Sequence, residues 1–257
     1  MDNLGHLALL LVAAFAAGAL NAVAGGGSFL TLPALVFTGV PPVVANATGT
    51  VALLPGYMAG AWGFKDDMQS PPGLSMKQVI ALSLLGGSAG AALLLFTPDE
   101  TFRKVVPWLL LAATAMFAFA PQLRAWASGK NAGSATLKVT NASKAAIGML
   151  IVTVYGGYFN GGLGILLLAL FGLLGQTQLN AMNGMKNLVS ALLTAIAVTI
   201  YAVGGIVQWE QALVMMVAAT AGGYGGARVA RKIPAHILRW GIVATGLVMA
   251  GLFFARG

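Results

Sequence analysis

The chain has 257 residues, of which 58% are hydrophobic and only 8% are charged, and its mean hydropathy is +0.87. A soluble domain carries about 25% charged residues, so this composition excludes a water-soluble globular protein. The net charge of +8 comes from basic residues in short stretches between apolar runs, which is typical of membrane topology and not of nucleic-acid binding. The absence of cysteine excludes disulfides and cysteine metal sites.

Hydrophobic runs of about twenty residues recur along the whole chain and predict membrane-spanning helices. The clearest runs cover residues 4–24, 79–96, 105–120, 191–207 and 242–254. Every backbone polar group within hydrocarbon must be paired inside the protein, so we expect an all-α integral membrane protein. The first residues include Asp2 where a signal peptide would carry basic residues, so we expect the first helix to be retained.

Each half of the chain also contains one apolar piece that is too short to span a membrane. The pieces are residues 28–40 and 165–175. A helix of thirteen residues reaches about 20 Å, against about 30 Å of hydrocarbon. Each piece follows glycines, at residues 25–27 and 161–164, and glycine permits tight turns and close backbone approach. We therefore predict short hairpin segments that bend at these Gly-rich motifs within the membrane.

The order of these features indicates an internal duplication. Gly27 and Gly164 are 137 positions apart, and so are Asn46 and Asn183. A Gly-Gly-x-x-Gly pattern, a proline and an arginine also recur at a spacing of 136 positions. Residues 121–143 between the halves are rich in Ser, Asn, Thr, Gly and Lys, which is typical of a solvated linker. We predict a first transmembrane repeat over residues 1–121, a cytoplasmic linker over 122–142 and a second transmembrane repeat over 143–257.

The distribution of Lys and Arg decides how the short pieces are counted. If the short pieces do not cross the membrane, the Lys and Arg residues divide 7 against 6 between its two sides. If each piece counts as a crossing, the division is 10 against 3. The second count gives a clear positive-inside orientation. We therefore predict two inverted repeats of about five hydrophobic segments each, with both termini outside and the linker inside. The expected location is the bacterial inner (cytoplasmic) membrane.

Transporters built from inverted repeats bind their substrates near the midplane, between interrupted helices. The N-termini of such half-helices carry partial positive charge and favour anions. Glycines and polar residues beside the bends can equally serve helix packing and interhelical hydrogen bonds. The predicted substrate site comprises Asn21, Gly25, Gly26, Gly27, Ser28, Asn46 and Thr48 from the first half, and Asn160, Gly162, Gly164, Asn183, Lys186 and Asn187 from the second.

Lys186 is the only basic residue well inside an apolar segment. An intramembrane lysine costs about 2.5–3.5 kcal/mol on insertion scales, so we expect it to have a function. It either binds the anion or extends its stem to the inner surface. Its counterpart in the first half is Gly49, so the cation belongs to one half only.

All six acidic residues stand in loops or at helix ends, and the sequence contains no nucleophile–base set, phosphate-binding loop or metal-ligand cluster. We therefore predict no enzyme activity, no cofactor and no metal. A membrane that is negative inside expels anions with about 2.3 kcal/mol per charge per 100 mV, which favours export without a coupling ion. The alternatives are an anion channel, an importer of a small organic anion coupled to Na+ or H+, and a non-transporting membrane scaffold or enzyme subunit.

Several motifs resemble the TauE/SafE family of sulfite exporters and sulfonate permeases. They are GALNAVAGGGSFLTLP at 18–33, ANATGTVALLPG at 45–56, AGAWG at 59–63 and NAMNGMKN at 180–187. The last is similar to the family's Asn-Ala-x-Lys-Asn pattern, with two extra residues before the lysine. The usual second Gly-Gly-Gly is replaced by Gly162-Leu163-Gly164.

The resemblance implies a transporter that exports sulfite or organosulfonates such as sulfoacetate by alternating access. The implied partners are a small anionic substrate and the lipid bilayer, with no nucleic acid. The Gly-xxx-Gly runs fit a homodimer contact as well as an internal one.

Overall fold

The computed structural model describes residues 3–23, 25–119, 122, 142–226 and 235–256. Within these ranges the chain forms helices and turns without a strand, which confirms the all-α prediction. Most of the predicted linker, with its basic residues, lies outside the described residues. The α-helices are α1 (Asn3–Val23), α2 (Ser28–Phe37), α3 (Pro42–Gly63), α4 (Met76–Leu95), α5 (Asp99–Ala118), α6 (Ala142–Tyr158), α7 (Leu163–Leu173), α8 (Leu179–Val203), α9 (Trp209–Ala221) and α10 (Ala235–Arg256).

Three of the described helices are long and apolar enough to cross a membrane, namely α1 over Leu4–Ala22, α4 and α8. The predicted short pieces are present as the apolar helices α2 and α7, which have 10 and 11 residues. Large apolar side chains also face outward, as at Val12, Trp62 and Val217, which are 69%, 73% and 72% exposed. An exposed apolar surface of this kind is suited to contact with lipid.

Local sequence signals explain where two of the helices begin. At the start of α4, the Ser75 hydroxyl accepts a hydrogen bond from the Gln78 N–H while the Gln78 side chain accepts from the Ser75 N–H, which is a capping box. At the start of α3, Pro42 occupies the first turn, where a missing N–H costs nothing. The Val43 N–H in the same turn donates to Asp99 Oδ1 over 3.0 Å, which connects α3 to α5.

Helix packing interleaves the two halves of the chain. The first helix of each half packs on the fourth helix of the other, as α1 on α9 and α6 on α4. The third helix of each half also packs on the fourth helix of the other, as α3 on α9 and α8 on α4. α3 packs on α8, and α5 packs on α10. The core therefore lies between the halves and is shared by them.

Glycines bring α1 and α9 into backbone contact. A Cβ added at Gly18 would lie 1.9 Å from the Ala219 carbonyl oxygen, and one added at Gly222 would lie 1.9 Å from the Phe15 carbonyl oxygen. The crossing of α4 and α6 is similar, since a Cβ at Gly90 would lie 2.1 Å from the Val154 carbonyl oxygen. Small residues permit this close approach where helices pack within lipid.

The substitution Gly222→Ala is expected to destabilise the protein, because its methyl group must push α1 away from the start of the π-helical turn Gly222–Gly226. Overpacking of this kind costs about 1–3 kcal/mol. The midpoint of thermal unfolding in detergent measures the effect. Gly251→Ala on α10 is the matched control, because nothing lies within 4 Å of a Cβ added there. Equal midpoints for the two variants would contradict the role assigned to the α1–α9 crossing.

Contacts between helix ends define two ends of the bundle. At the first, here named the His6 end, a cavity of about 550 Å³ is lined by His6 of α1, Gly39 after α2 and Gln208 before α9. At the second, the Gln69 end, the Gln176 side-chain N–H donates to the Gln69 carbonyl oxygen over 2.8 Å and so connects the α7–α8 turn to the α3–α4 connection. α3 runs between these ends, since its 22 residues reach about 33 Å.

Candidate functional site

The helices of each predicted hairpin are separated by a glycine with left-handed backbone. Gly25 has a φ of +80° between α1 and α2, and Gly162 has a φ of +74° between α6 and α7. These residues are 137 positions apart, which is the spacing of the sequence motifs. Glycine adopts this conformation without the steric cost of a Cβ. The second bend is also held by the Tyr155 hydroxyl, which donates to the Gly161 carbonyl oxygen over 2.6 Å.

The two bends touch each other inside the bundle. A Cβ added at Gly25 would lie 3.0 Å from the Gly164 Cα, and one added at Gly164 would lie 3.0 Å from the Gly25 Cα. The contact is therefore made by backbone on both sides, and both residues are buried. Gly26, Gly27 and Gly162 are buried beside them. The structure thus brings together the glycines that the sequence places in separate halves.

Lys186 of α8 lies beside this contact. Its Cδ would be 3.3 Å from a Cβ added at Gly164, and the residue is only 2% exposed. Burial of the whole side chain favours a role inside the bundle over extension to the inner surface. The described acidic residues lie at helix ends or in connections, so the ammonium group gives this region its positive charge.

Tyr57 of α3 joins two asparagines that precede the bends. Its hydroxyl donates to Asn160 Oδ1 over 3.2 Å, and the Asn21 side chain lies beside the same hydroxyl. Asn21 and Asn160 each stand four residues before the glycine that touches the other half, Gly25 and Gly164. This arrangement places one amide from each half next to the contact between the bends.

Several buried polar atoms in this region have no hydrogen-bond partner among the described residues. An unpartnered buried polar atom costs about 1–3 kcal/mol, so we expect such atoms to bind a ligand or water. Those nearest the bends in the sequence belong to Asn21, Ser28, Thr31 and Asn160, and two more follow Lys186 at the helical spacing of four residues. They are Asn21 Oδ1, Ser28 Oγ, Thr31 Oγ1, Asn160 Nδ2, Ser190 Oγ and Thr194 Oγ1.

Two of the predicted polar residues bond elsewhere in the bundle. The Asn46 side-chain N–H donates to the Tyr158 carbonyl oxygen over 3.0 Å and connects α3 to the end of α6. The Thr48 hydroxyl accepts from the Gln208 N–H over 3.1 Å, so it faces the α8–α9 turn. Both residues are buried. Asn46 therefore contacts the residue at which α6 ends before the second bend, whereas Thr48 contacts the α8–α9 turn.

The two remaining predicted residues belong to α8. The Asn187 amide packs against α3, since a Cβ added at Gly60 would lie 2.7 Å from Asn187 Nδ2. Asn183 is half-buried one turn before it. The face of α8 that carries these amides therefore meets α3, while Lys186 meets the second bend.

Sequence reasoning missed Tyr57, although a signal was present. Tyr57 lies about three helical turns beyond Asn46 and about two turns beyond Thr50, so the three residues share one face of α3. A tyrosine on the polar face of a membrane helix needs a partner for its hydroxyl when it is buried. Tyr57 is 4% exposed and has that partner in the other half of the chain.

Comparison with known proteins identifies relatives of the chain. The family model described as sulfite exporter TauE/SafE matches residues 10–253. A probable membrane transporter protein of Haemophilus influenzae is 28% identical over 256 residues, covering 95% of this chain and 92% of the relative. The probable membrane transporter protein YfcA of Escherichia coli K12 is 26% identical over 245 residues, covering 95% and 88%. No solved structure matches the chain significantly. Because the family match covers nearly the whole chain, the chain belongs to the sulfite exporter TauE/SafE family of membrane transporters.

Proposed function

We propose that this transporter exports small anions, sulfite or organosulfonates such as sulfoacetate, across the bacterial inner membrane by alternating access. The observation that carries the proposal is the contact between Gly25 and Gly164 with the buried Lys186 packed against it. A buried ammonium attracts a negatively charged group, and the amides and hydroxyls of the region can donate hydrogen bonds without adding charge. A small oxyanion meets both requirements.

The proposal includes two inverted repeats, residues 1–121 and 143–257, on either side of the linker 122–142. The exchange of packing partners between the halves supports this relationship. So do two pairs of left-handed glycines, Gly25 with Gly162 and Gly39 with Gly175, at spacings of 137 and 136 positions. The ends of α1 and α2 that lie away from the bend meet at the His6 end. The corresponding ends of α6 and α7 pack with the α3–α4 connection, as expected for a half of opposite orientation.

The positive-inside count assigns the Gln69 end to the cytoplasm. Cavities of about 550 and 530 Å³ lie at the His6 end, on either side of the α2–α3 turn. The Gln69 end is closed by the bond from Gln176 to Gln69 and by Phe64 and Met68, which pack on Gly184. In the proposed cycle this arrangement is the outward-facing one, and the Gln69 end opens to load the anion.

Flux in proteoliposomes tests the proposal. Under an imposed potassium-diffusion potential, wild-type protein is expected to move sulfite and sulfoacetate toward the positive side. The substitution Lys186→Ala is expected to lower this flux by at least about tenfold, because loss of one charge-assisted interaction of about 1.5–3 kcal/mol corresponds to that factor. Lys77→Ala is the matched control, because Lys77 is exposed in the first turn of α4.

The outcomes separate the parts of the proposal. If wild-type protein moves neither anion at any potential, the substrate or the driving force is wrong. If it moves both and Lys186→Ala has the wild-type rate, the assigned site is wrong while the transport function stands. Resolvable single-channel currents in a planar bilayer would identify an anion channel in place of a carrier.

A further inference from the structure

The Tyr57 hydroxyl links the side-chain amides of Asn21 and Asn160. This hydroxyl donates to Asn160 Oδ1, and Asn160 Nδ2 has no partner within the described part of the chain. The same hydroxyl oxygen can accept from the Asn21 amide beside it, whose Oδ1 is likewise without a partner there. The three side chains therefore form a directed series from Asn21 through Tyr57 to Asn160.

The two ends of this series require different groups from a ligand. Asn21 Oδ1 is an acceptor and needs a donor, whereas Asn160 Nδ2 is a donor and needs an acceptor. The positive charge of Lys186, beside Gly164 in the second half, also favours an acceptor that carries negative charge. Both amides approach one hydroxyl, so the two unpartnered atoms belong to one cluster of side chains.

We infer that the site selects an oxyanion that also carries a hydrogen-bond donor, either a hydroxyl group or a retained proton, and that Tyr57 is the positioning residue that sets this selectivity. The inference rests on the proposed function, because it assigns a substrate class to the same site. The oxyanion lies toward Asn160 and Lys186, and the donor lies toward Asn21. Hydroxyalkanesulfonates and hydrogensulfite have both groups. Fully ionised sulfite and sulfoacetate offer acceptors only, so they are expected to be poorer substrates of the same site.

Two sulfonates of equal size test this selectivity in wild-type protein. In 2-hydroxyethanesulfonate a hydroxyl occupies the position that a methyl group occupies in 1-propanesulfonate. The hydroxylated anion is expected to have a kcat/KM about tenfold higher in proteoliposome flux, the ratio expected when one buried acceptor is otherwise left without a donor. A merely apolar pocket gives the opposite order, because the methyl group is the easier one to remove from water.

Variants locate the selectivity in the two side chains. Asn21→Ala removes the acceptor, and Tyr57→Phe removes the hydroxyl that orients Asn160, so each is expected to bring the ratio of the two kcat/KM values close to one. Tyr201→Phe is the matched control. It removes another buried tyrosine hydroxyl, which donates to the Gly157 carbonyl oxygen, and it is expected to keep the wild-type ratio. A purely structural role for Tyr57 lowers both rates together and leaves the ratio unchanged.

The outcomes distinguish the inference from the function on which it rests. If wild-type protein has a kcat/KM for 2-hydroxyethanesulfonate no higher than that for 1-propanesulfonate, the inference is overturned while sulfonate transport itself stands. A wild-type ratio that persists in Asn21→Ala and Tyr57→Phe overturns the assignment to these residues. If neither sulfonate nor sulfite is moved, the proposed function fails and the inference fails with it. The wild-type comparison needs no variant, so it decides the substrate class even if a variant does not fold.

Discussion

Cross-linking residue 69 to residue 176 is expected to stop transport completely. The Gln176 side chain bonds to the Gln69 carbonyl oxygen at the Gln69 end, where Phe64 and Met68 also pack on Gly184. Alternating access requires these contacts to separate once in each cycle. The double variant Gln69→Cys/Gln176→Cys is treated with a short bifunctional methanethiosulfonate reagent, and flux is measured before and after. The natural chain has no cysteine, so the two introduced thiols are the only targets.

A control pair separates closure of this end from chemical damage. Ser75→Cys/Gln78→Cys places both thiols within the capping box of α4, where the two native side chains are 3.0 Å apart. Its cross-link joins residues of one helix turn and is expected to leave flux unchanged. Reductant is expected to restore flux in the 69–176 pair. Full flux with that cross-link intact would mean that the Gln69 end need not open.

The second large effect is expected at the first bend. Gly25→Ala and Gly205→Ala both place a methyl group on left-handed backbone, at φ values of +80° and +69°. Each substitution is expected to cost about 1–2 kcal/mol of stability for that reason. They differ in their surroundings. The Cβ at residue 25 would lie 3.0 Å from the Gly164 Cα, whereas nothing lies within 4 Å of one at residue 205.

Only Gly25→Ala is therefore expected to lower flux, by about tenfold or more, because a displacement of about 1 Å at a binding site costs up to a hundredfold. Flux per reconstituted molecule and the midpoint of thermal unfolding in detergent are measured for both variants. Similar midpoints with unequal rates would assign the loss to the contact between the bends. Equal rates would mean that the approach of Gly25 to Gly164 serves packing alone.

Much of the helix order could be predicted from the sequence. Apolar runs predicted the short helices α2 and α7, because this signal depends on neighbours along the chain. The direction of individual side chains could not be predicted in the same way. Successive residues of a helix are rotated by about 100°, so membership of a motif does not say which neighbour a side chain meets. Thr48 and Asn187 both belong to the predicted motifs, yet Thr48 contacts Gln208 and Asn187 contacts Gly60.

Glycine motifs are ambiguous for a related reason. Gly56 and Gly60 belong to one Gly-xxx-Gly run of α3, yet a Cβ at Gly60 would meet Asn187 whereas one at Gly56 would meet nothing within 4 Å. By contrast, Gly86 and Gly90 both lie against α6, where their added Cβ atoms would meet Thr153 and the Val154 carbonyl oxygen. Spacing alone predicts a small-residue face. Which neighbour covers that face is decided by the packing of the whole bundle.

The exchange of packing partners has a consequence for how the protein is made. Gly18 on α1 contacts Ala219 on α9. About two hundred residues must therefore be synthesised after Gly18 before its contact partner exists. During that interval the glycine face of α1 lacks the partner that it has in the folded protein. α6 differs, because its partner α4 is already in place when it is inserted. The packing of α1 is therefore completed only after α9 has been synthesised.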